Sequence, residues 1–106
     1  MKSLSQSILE QKRTRGIALM PFIAAGYPDL AGSMKLLPAL ERGGAAGVEV
    51  GFPFSDPIAD GPVIQQAFTD ALAQGLKIDQ IFAGLAAVRD QFTIPAVAMV
   101  SYSIVY

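Results

Sequence analysis

The chain has 106 residues, of which 52% are hydrophobic and 16% charged, a composition typical of one small globular domain and not of a disordered chain. Its 8 Lys and Arg residues nearly balance its 9 Asp and Glu residues, and the net charge of −1 argues against a nucleic-acid partner. The absence of Cys and His excludes disulfides and thiolate nucleophiles, and leaves acid–base chemistry to Asp, Glu, Lys or Tyr.

We expect no secretory signal in the N-terminal segment. Polar residues interrupt its first twelve positions, whereas a secretory signal needs an apolar stretch of about 7–15 residues. No apolar run reaches the roughly 18 residues that a membrane-spanning helix requires. We therefore expect a cytoplasmic protein without a membrane partner.

The first two predicted elements are a helix and a strand. Apolar residues at helical spacing, followed by basic residues, predict a short amphipathic helix that ends at Gly16. Its apolar residues are Leu4, Ile8 and Leu9. The apolar run 17–25 predicts a strand buried on both faces, and Pro21 favours pairing that begins near that residue.

Asp29 is a good N-cap for a second helix, which closes at Gly43 and Gly44. Pro38 lies inside this helix, so we expect a kink or an early break there. The apolar face of the helix consists of Leu30, Met34, Leu37 and Leu40. A short strand over 48–50 follows.

The composition of residues 51–62 indicates a loop. Pro62 is placed to begin a third helix, which ends at Gly75. A fourth helix with a regular apolar face follows, and then a third strand over 96–102. Strands that alternate with helices indicate βαβ units, an α/β fold and a parallel sheet. The apolar face of the third strand would stay uncovered, because no further helix follows it in this sequence.

Glu49 is the most informative residue of the chain. Strand alternation places Val48 and Val50 on one face and Glu49 on the other, although both faces of a parallel sheet are usually buried. Desolvation disfavours the charged form of a carboxyl, which suits a residue that donates and accepts protons. The alternative is a structural Glu paired with Lys or Arg.

Asp56 and Asp60 lie on the loop after this strand, where parallel α/β folds bind ligands. Asp60 also suits the N-cap of the helix that Pro62 begins. The carboxylate spacing lacks the pattern of a calcium loop, so we predict no metal site. Phe22 and Tyr102 lie toward the ends of predicted strands and are either core residues or walls of a flat apolar pocket.

The segment 48–65, VEVGFPFSDPIADGPVIQ, closely resembles the signature of the tryptophan synthase alpha chain family. The earlier PFIAAGYPD of 21–29 and ERGGA of 41–45 are similar to that family's first strand and turn and to the end of its first barrel helix. The resemblance implies a TIM (β/α)8 barrel, of which 1–106 would be the N-terminal portion, with only the first three strands and their helices.

The resemblance also implies an activity, which is the retro-aldol cleavage of indole-3-glycerol phosphate to indole and glyceraldehyde 3-phosphate. By their positions in the motif, Glu49 would be the catalytic proton shuttle and Asp60 the carboxylate that binds the indole N–H. Phe22 and Tyr102 would lie beside the indole ring. Such an alpha chain needs no cofactor, and its partner is a beta chain that uses pyridoxal phosphate.

The loop that begins at Pro53 resembles the one that contacts the beta chain, with Asp56 as the expected contact residue. The family's phosphate-binding loops belong to late strands that this sequence lacks. After Tyr102 the family often has Asn-Pro, whereas residues 103–106 are SIVY. We therefore keep two alternatives, a non-catalytic half-barrel that binds the beta chain and a different phosphate-binding barrel enzyme.

Overall fold

The computed structural model describes residues 2–54 and 60–101. Within these ranges three strands form one parallel sheet in the order β1-β2-β3. The elements are α1 (Leu4–Arg15), β1 (Phe22–Ala24), α2 (Leu30–Arg42), β2 (Val48–Gly51), α3 (Pro62–Ala73), α4 (Ile78–Val88), a 3-10 turn (Arg89–Gln91) and β3 (Ala96–Met99). The predicted α/β class and the order of helices and strands are confirmed.

The helix boundaries follow the local signals in the sequence. The Asp29 carboxylate caps α2 by accepting a hydrogen bond from the Gly32 N–H at 2.6 Å. Pro62 occupies the first turn of α3, where its missing N–H costs nothing. Gly16 ends α1 in the left-handed region at φ 80°. These three predictions are confirmed.

Other predicted boundaries are wrong. The strand predicted over 17–25 is paired only over Phe22–Ala24, and Ile17 and Leu19 are exposed. The pairing does begin directly after Pro21, as predicted. An apolar run predicts burial but does not say where a neighbouring strand pairs with it. Helix α2 continues through Pro38 without the expected early break. Strand β3 ends at Met99, whereas the prediction extended it to a residue outside the described ranges.

Helix α1 is less amphipathic than the spacing of its apolar residues suggests. Leu9 is 65% exposed, although we expected it on the apolar face. The residue of α1 that is buried is Ser7, whose hydroxyl donates a hydrogen bond to the Ala46 carbonyl. A polar contact therefore joins this helix to the segment that leads into β2.

The core lies between one face of the sheet and helices α2 and α4. Val48 and Val50 of β2 are 0% and 1% exposed and pack with Leu37 of α2. Ala96 and Ala98 of β3 lie on the same face in register with these valines, yet both are exposed. Helices of the described residues therefore cover β1 and β2 better than β3.

The helices of the described residues are 11 to 13 residues long, apart from the short 3-10 turn. None of them combines the length and the apolar character that a bilayer span requires.

Glu41 joins the end of α2 to the segment that leads into β3. Its carboxylate accepts hydrogen bonds from the backbone N–H groups of Thr93 and Ile94, each at 3.1 Å. It also accepts one from the Thr93 hydroxyl. Charge-assisted hydrogen bonds are stronger than neutral ones, so one side chain here fixes the entry of the third strand.

Replacing Glu41 should therefore destabilise the chain. We expect Glu41→Ala to lower the free energy of unfolding by about 1–3 kcal/mol, because two backbone N–H groups lose their acceptor. Urea unfolding followed by circular dichroism measures this. The control is Glu10→Ala, which removes an exposed carboxylate paired with Lys2 and should change stability much less. Equal losses from both variants would contradict the role of Glu41.

Candidate active site

Glu49 lies on the face of the sheet opposite the core that α2 and α4 cover. The parallel register pairs Phe22 of β1 with Glu49, and Glu49 with Val97 of β3, so these three side chains share one face. The backbone of Glu49 is held by its N–H, which donates to the Pro21 carbonyl at 2.8 Å. A carboxylate thus stands at the centre of an apolar row.

The surroundings of Glu49 do not favour the structural alternative. Within residues 2–54 and 60–101, the ion pair formed is Lys2–Glu10, far along the chain from this site. No Lys or Arg of those ranges pairs with Glu49, and its side chain is half-buried and not fully enclosed. The expected burial on both faces is therefore only partly met.

Three aromatic rings pack together at the carboxyl end of the sheet. The ring of Phe68, on α3, is fully buried and lies 6.5 Å from the ring of Phe22 and 5.6 Å from that of Phe54, between centroids. These distances lie within the range in which aromatic rings attract one another. Helix α3 therefore packs against the same face of the sheet that carries Glu49.

Gly51 makes this arrangement possible. A Cβ at this position would lie 2.6 Å from Phe22 Cε2 and 3.2 Å from Phe68 Cζ, closer than such atoms normally approach. Because Gly51 has no side chain, the rings of Phe22 and Phe68 can pack directly against the backbone of β2. Sequence reasoning missed Phe68 and Gly51 as site residues, although a glycine inside a strand pattern signals the close approach of another group.

Asp60 precedes α3 but does not cap it. The N-cap residue is Gly61, and no side chain caps this helix. The expectation that Asp60 is an N-cap is therefore wrong, because the helix begins one residue later than that role requires. The half-buried Asp60 is instead held through its backbone carbonyl, which accepts a hydrogen bond from Gln65 Nε2 at 2.7 Å. Its carboxylate is not used in capping the helix.

Pro53 is buried and lines an apolar groove between the end of β2 and the junction of α3 with α4. The other apolar walls of this groove are Phe54, Leu72, Leu76, Ile78 and Ile81. Asp56 and Tyr102 lie outside the described residues, so their predicted roles stay predictions. In the described ranges no three acidic side chains cluster closely enough to hold a metal ion.

Comparison with known proteins identifies the family. The family profile described as "Tryptophan synthase alpha chain" matches residues 8–106. The chain belongs to the tryptophan synthase alpha chain family. It is 48% identical over 99 residues to the tryptophan synthase alpha chain of Prochlorococcus marinus strain NATL2A, a match that covers 92% of this chain and 36% of that protein.

Two solved structures support the same assignment. The tryptophan synthase alpha subunit of Legionella pneumophila superposes with a TM-score of 0.88 at 34% identity, covering 97% of this chain and 40% of that one. Aminoacrylate-bound tryptophan synthase from M. tuberculosis gives a TM-score of 0.82 at 32% identity, covering 92% and 39%. The three parallel strands and their helices are thus part of a TIM barrel. The chain spans less than half the length of these relatives.

The space above Gly51 gives a test of the aromatic cover. We expect Gly51→Ala to lower the free energy of unfolding by about 1–3 kcal/mol, because the rings of Phe22 and Phe68 must move away. Urea unfolding of the chain measures this.

Gly61→Ala is the matched control for that substitution. Gly61 has φ −76°, and apart from its chain neighbours no described residue has an atom within 4 Å of an added Cβ, so the change should stay within about 1 kcal/mol. If Gly51→Ala proved as mild as Gly61→Ala, the described packing of the rings would be wrong.

Proposed function

We propose that this chain provides part of the active site of an alpha subunit that cleaves indole-3-glycerol phosphate to indole and glyceraldehyde 3-phosphate. The observation that carries the proposal is the placement of Glu49. This carboxylate has no ion-pair partner in the described ranges, lies in register with an aromatic side chain, and stands on the face of the sheet that becomes the interior of a barrel.

Glu49 would move the protons of the reaction. The protonated carboxyl donates a proton to C3 of the indole ring, and the resulting carboxylate takes the proton of the glycerol hydroxyl next to the ring. The bond between C3 and that glycerol carbon then breaks. Its electron pair returns to the ring to form indole, and the hydroxyl carbon becomes the aldehyde. One proton is given and one is taken, so Glu49 ends as it began.

Asp60 would stabilise the intermediate between these two transfers. Protonation at C3 leaves a positive charge on the indole nitrogen, and a carboxylate that accepts the N–H hydrogen bond lowers the energy of that cation. This role needs a carboxylate that is not engaged in capping a helix, as the geometry around Gly61 allows. Two carboxyls in different environments can in this way serve two different functions.

Phe22 would lie along the flat face of the indole ring, with Tyr102 as the second wall. Phe22 is half-buried and held against Phe68, so its ring is positioned without being fully enclosed. Pro53 and Asp56 would contact a beta chain, which would receive the indole and use pyridoxal phosphate. We propose no cofactor for this chain itself and a cytoplasmic location.

The three strands described here are fewer than the eight of a TIM barrel, whose phosphate site forms after strands 7 and 8. We therefore propose that cleavage requires the later strands. A suitable test protein is a chimera in which residues 1–106 are followed by the part of the Prochlorococcus marinus alpha chain that lies beyond the matched segment.

We expect the chimera to release indole from indole-3-glycerol phosphate. Glu49→Gln should lower kcat by at least roughly 10²-fold, because the amide can neither give nor take the proton, and Asp60→Asn should have a comparable effect. Indole release in a steady-state assay gives both values.

Glu10→Gln and Asp90→Asn are the matched controls, since both residues are exposed and lie outside the site. A folded chimera that kept full turnover with Glu49→Gln would refute the proton-shuttle role. If the chain changed beta-chain activity while the chimera released no indole, the non-catalytic alternative would replace the proposal.

A further inference from the structure

We infer that Gln65 is a positioning residue for Asp60. This inference rests on the proposed function, since it concerns how one of the two proposed catalytic carboxylates is held. Gln65 lies in the first turn of α3, five positions after Asp60, and it is half-buried. It touches no reacting group in the proposed mechanism and acts through the backbone of its neighbour.

Two hydrogen bonds from Gln65 fix two consecutive peptide groups. Its side-chain Nε2 donates to the carbonyl of Asp60 at 2.7 Å, and its backbone N–H donates to the carbonyl of Gly61 at 3.0 Å. The second bond is part of the normal start of a helix, and the first is an additional bond that the amide side chain of Gln65 supplies. Together they fix the peptide planes on either side of the Gly61 Cα.

The rest of α3 gives this anchor a rigid base. Phe68, in the middle of the helix, packs against the rings of Phe22 and Phe54. At the other end, the Gln74 side chain donates to the Pro28 carbonyl at 2.6 Å, which joins the helix to the turn after β1. A helix fixed to the sheet in this way holds Gln65, and Gln65 holds Asp60.

This anchor matters because Asp60 has no hydrogen bond of its own to the sheet within the described ranges. Its position relative to Glu49 depends on the helix that follows it. A displacement of about 1 Å in a catalytic group can cost roughly 10²-fold in rate. Loss of one anchoring hydrogen bond should therefore reduce kcat and leave substrate affinity nearly unchanged.

The test uses the chimera and two adjacent glutamines. Gln65→Met removes the donor and keeps the length of the side chain, and we expect roughly a tenfold lower kcat with KM within about twofold. Gln66→Met is the matched control. Gln66 is exposed, and its side-chain amide donates to Asp70 on the same helix, so its loss should not alter turnover. Gln65→Glu has the same shape without the donor, and it should lose at least as much activity as Gln65→Met.

The double variant Gln65→Met with Asp60→Asn separates positioning from a general structural role. If Gln65 acts through Asp60, its loss has little further effect once Asp60 is Asn, so the two losses do not add. A full additional loss in the double variant would overturn the inference, and so would wild-type turnover of Gln65→Met or Gln65→Glu. Failure of the proposed function is seen separately, as an unsubstituted chimera that releases no indole or as an unaffected Asp60→Asn variant.

Discussion

Side-chain alternation along β2 is the constraint on which the site depends. Val48 and Val50 are drawn into the core between the sheet and its helices, where they are 0% and 1% exposed. Successive residues of a strand point to opposite faces, so Glu49 must face the other side. A shift of one residue would bury the carboxylate among apolar side chains and expose two valines. The same burial that stabilises the fold therefore places the carboxylate.

Helix α3 is the second structural element of the proposed site. It follows the loop after β2 and packs across the carboxyl end of the sheet, where ligands of parallel α/β proteins bind. Gly51 makes room for this packing, and Phe68 fills it. Asp60 lies two positions before the first residue of the helix, and its backbone carbonyl accepts a hydrogen bond from Gln65 of that helix. In the proposed site one carboxylate lies on the sheet and the other just before the helix, and the contact between Phe22 and Phe68 joins the two parts.

Features set by short-range chemistry could be predicted from the sequence. Asp29 caps its helix because its carboxylate reaches an N–H three residues ahead, and Pro62 begins a helix because its fixed φ suits that position. The side of the sheet that Glu49 faces follows from alternation alone. The family follows from the long motif over 48–65, which the comparisons confirm.

Features set by long-range packing could not be predicted in this way. The length of β1 depends on where its neighbour pairs, and Ile17 and Leu19 resemble strand residues in composition alone. Phe68 looks like any apolar residue of an amphipathic helix until the helix is docked on the sheet. The choice between Asp60 and Gly61 as the N-cap depends on a shift of one residue, which composition does not resolve.

The central claim is that Glu49 and Asp60 face the same bound indole ring from the sheet and from the start of α3. The most direct measurement is a crystal structure of the Glu49→Gln chimera with indole-3-glycerol phosphate bound. The account predicts the side chain at position 49 beside C3 of the indole ring, and an Asp60 carboxylate oxygen within hydrogen-bond distance of the ring nitrogen. A substrate ring bound on another face of the sheet, or an Asp60 carboxylate directed away from it, would contradict the account.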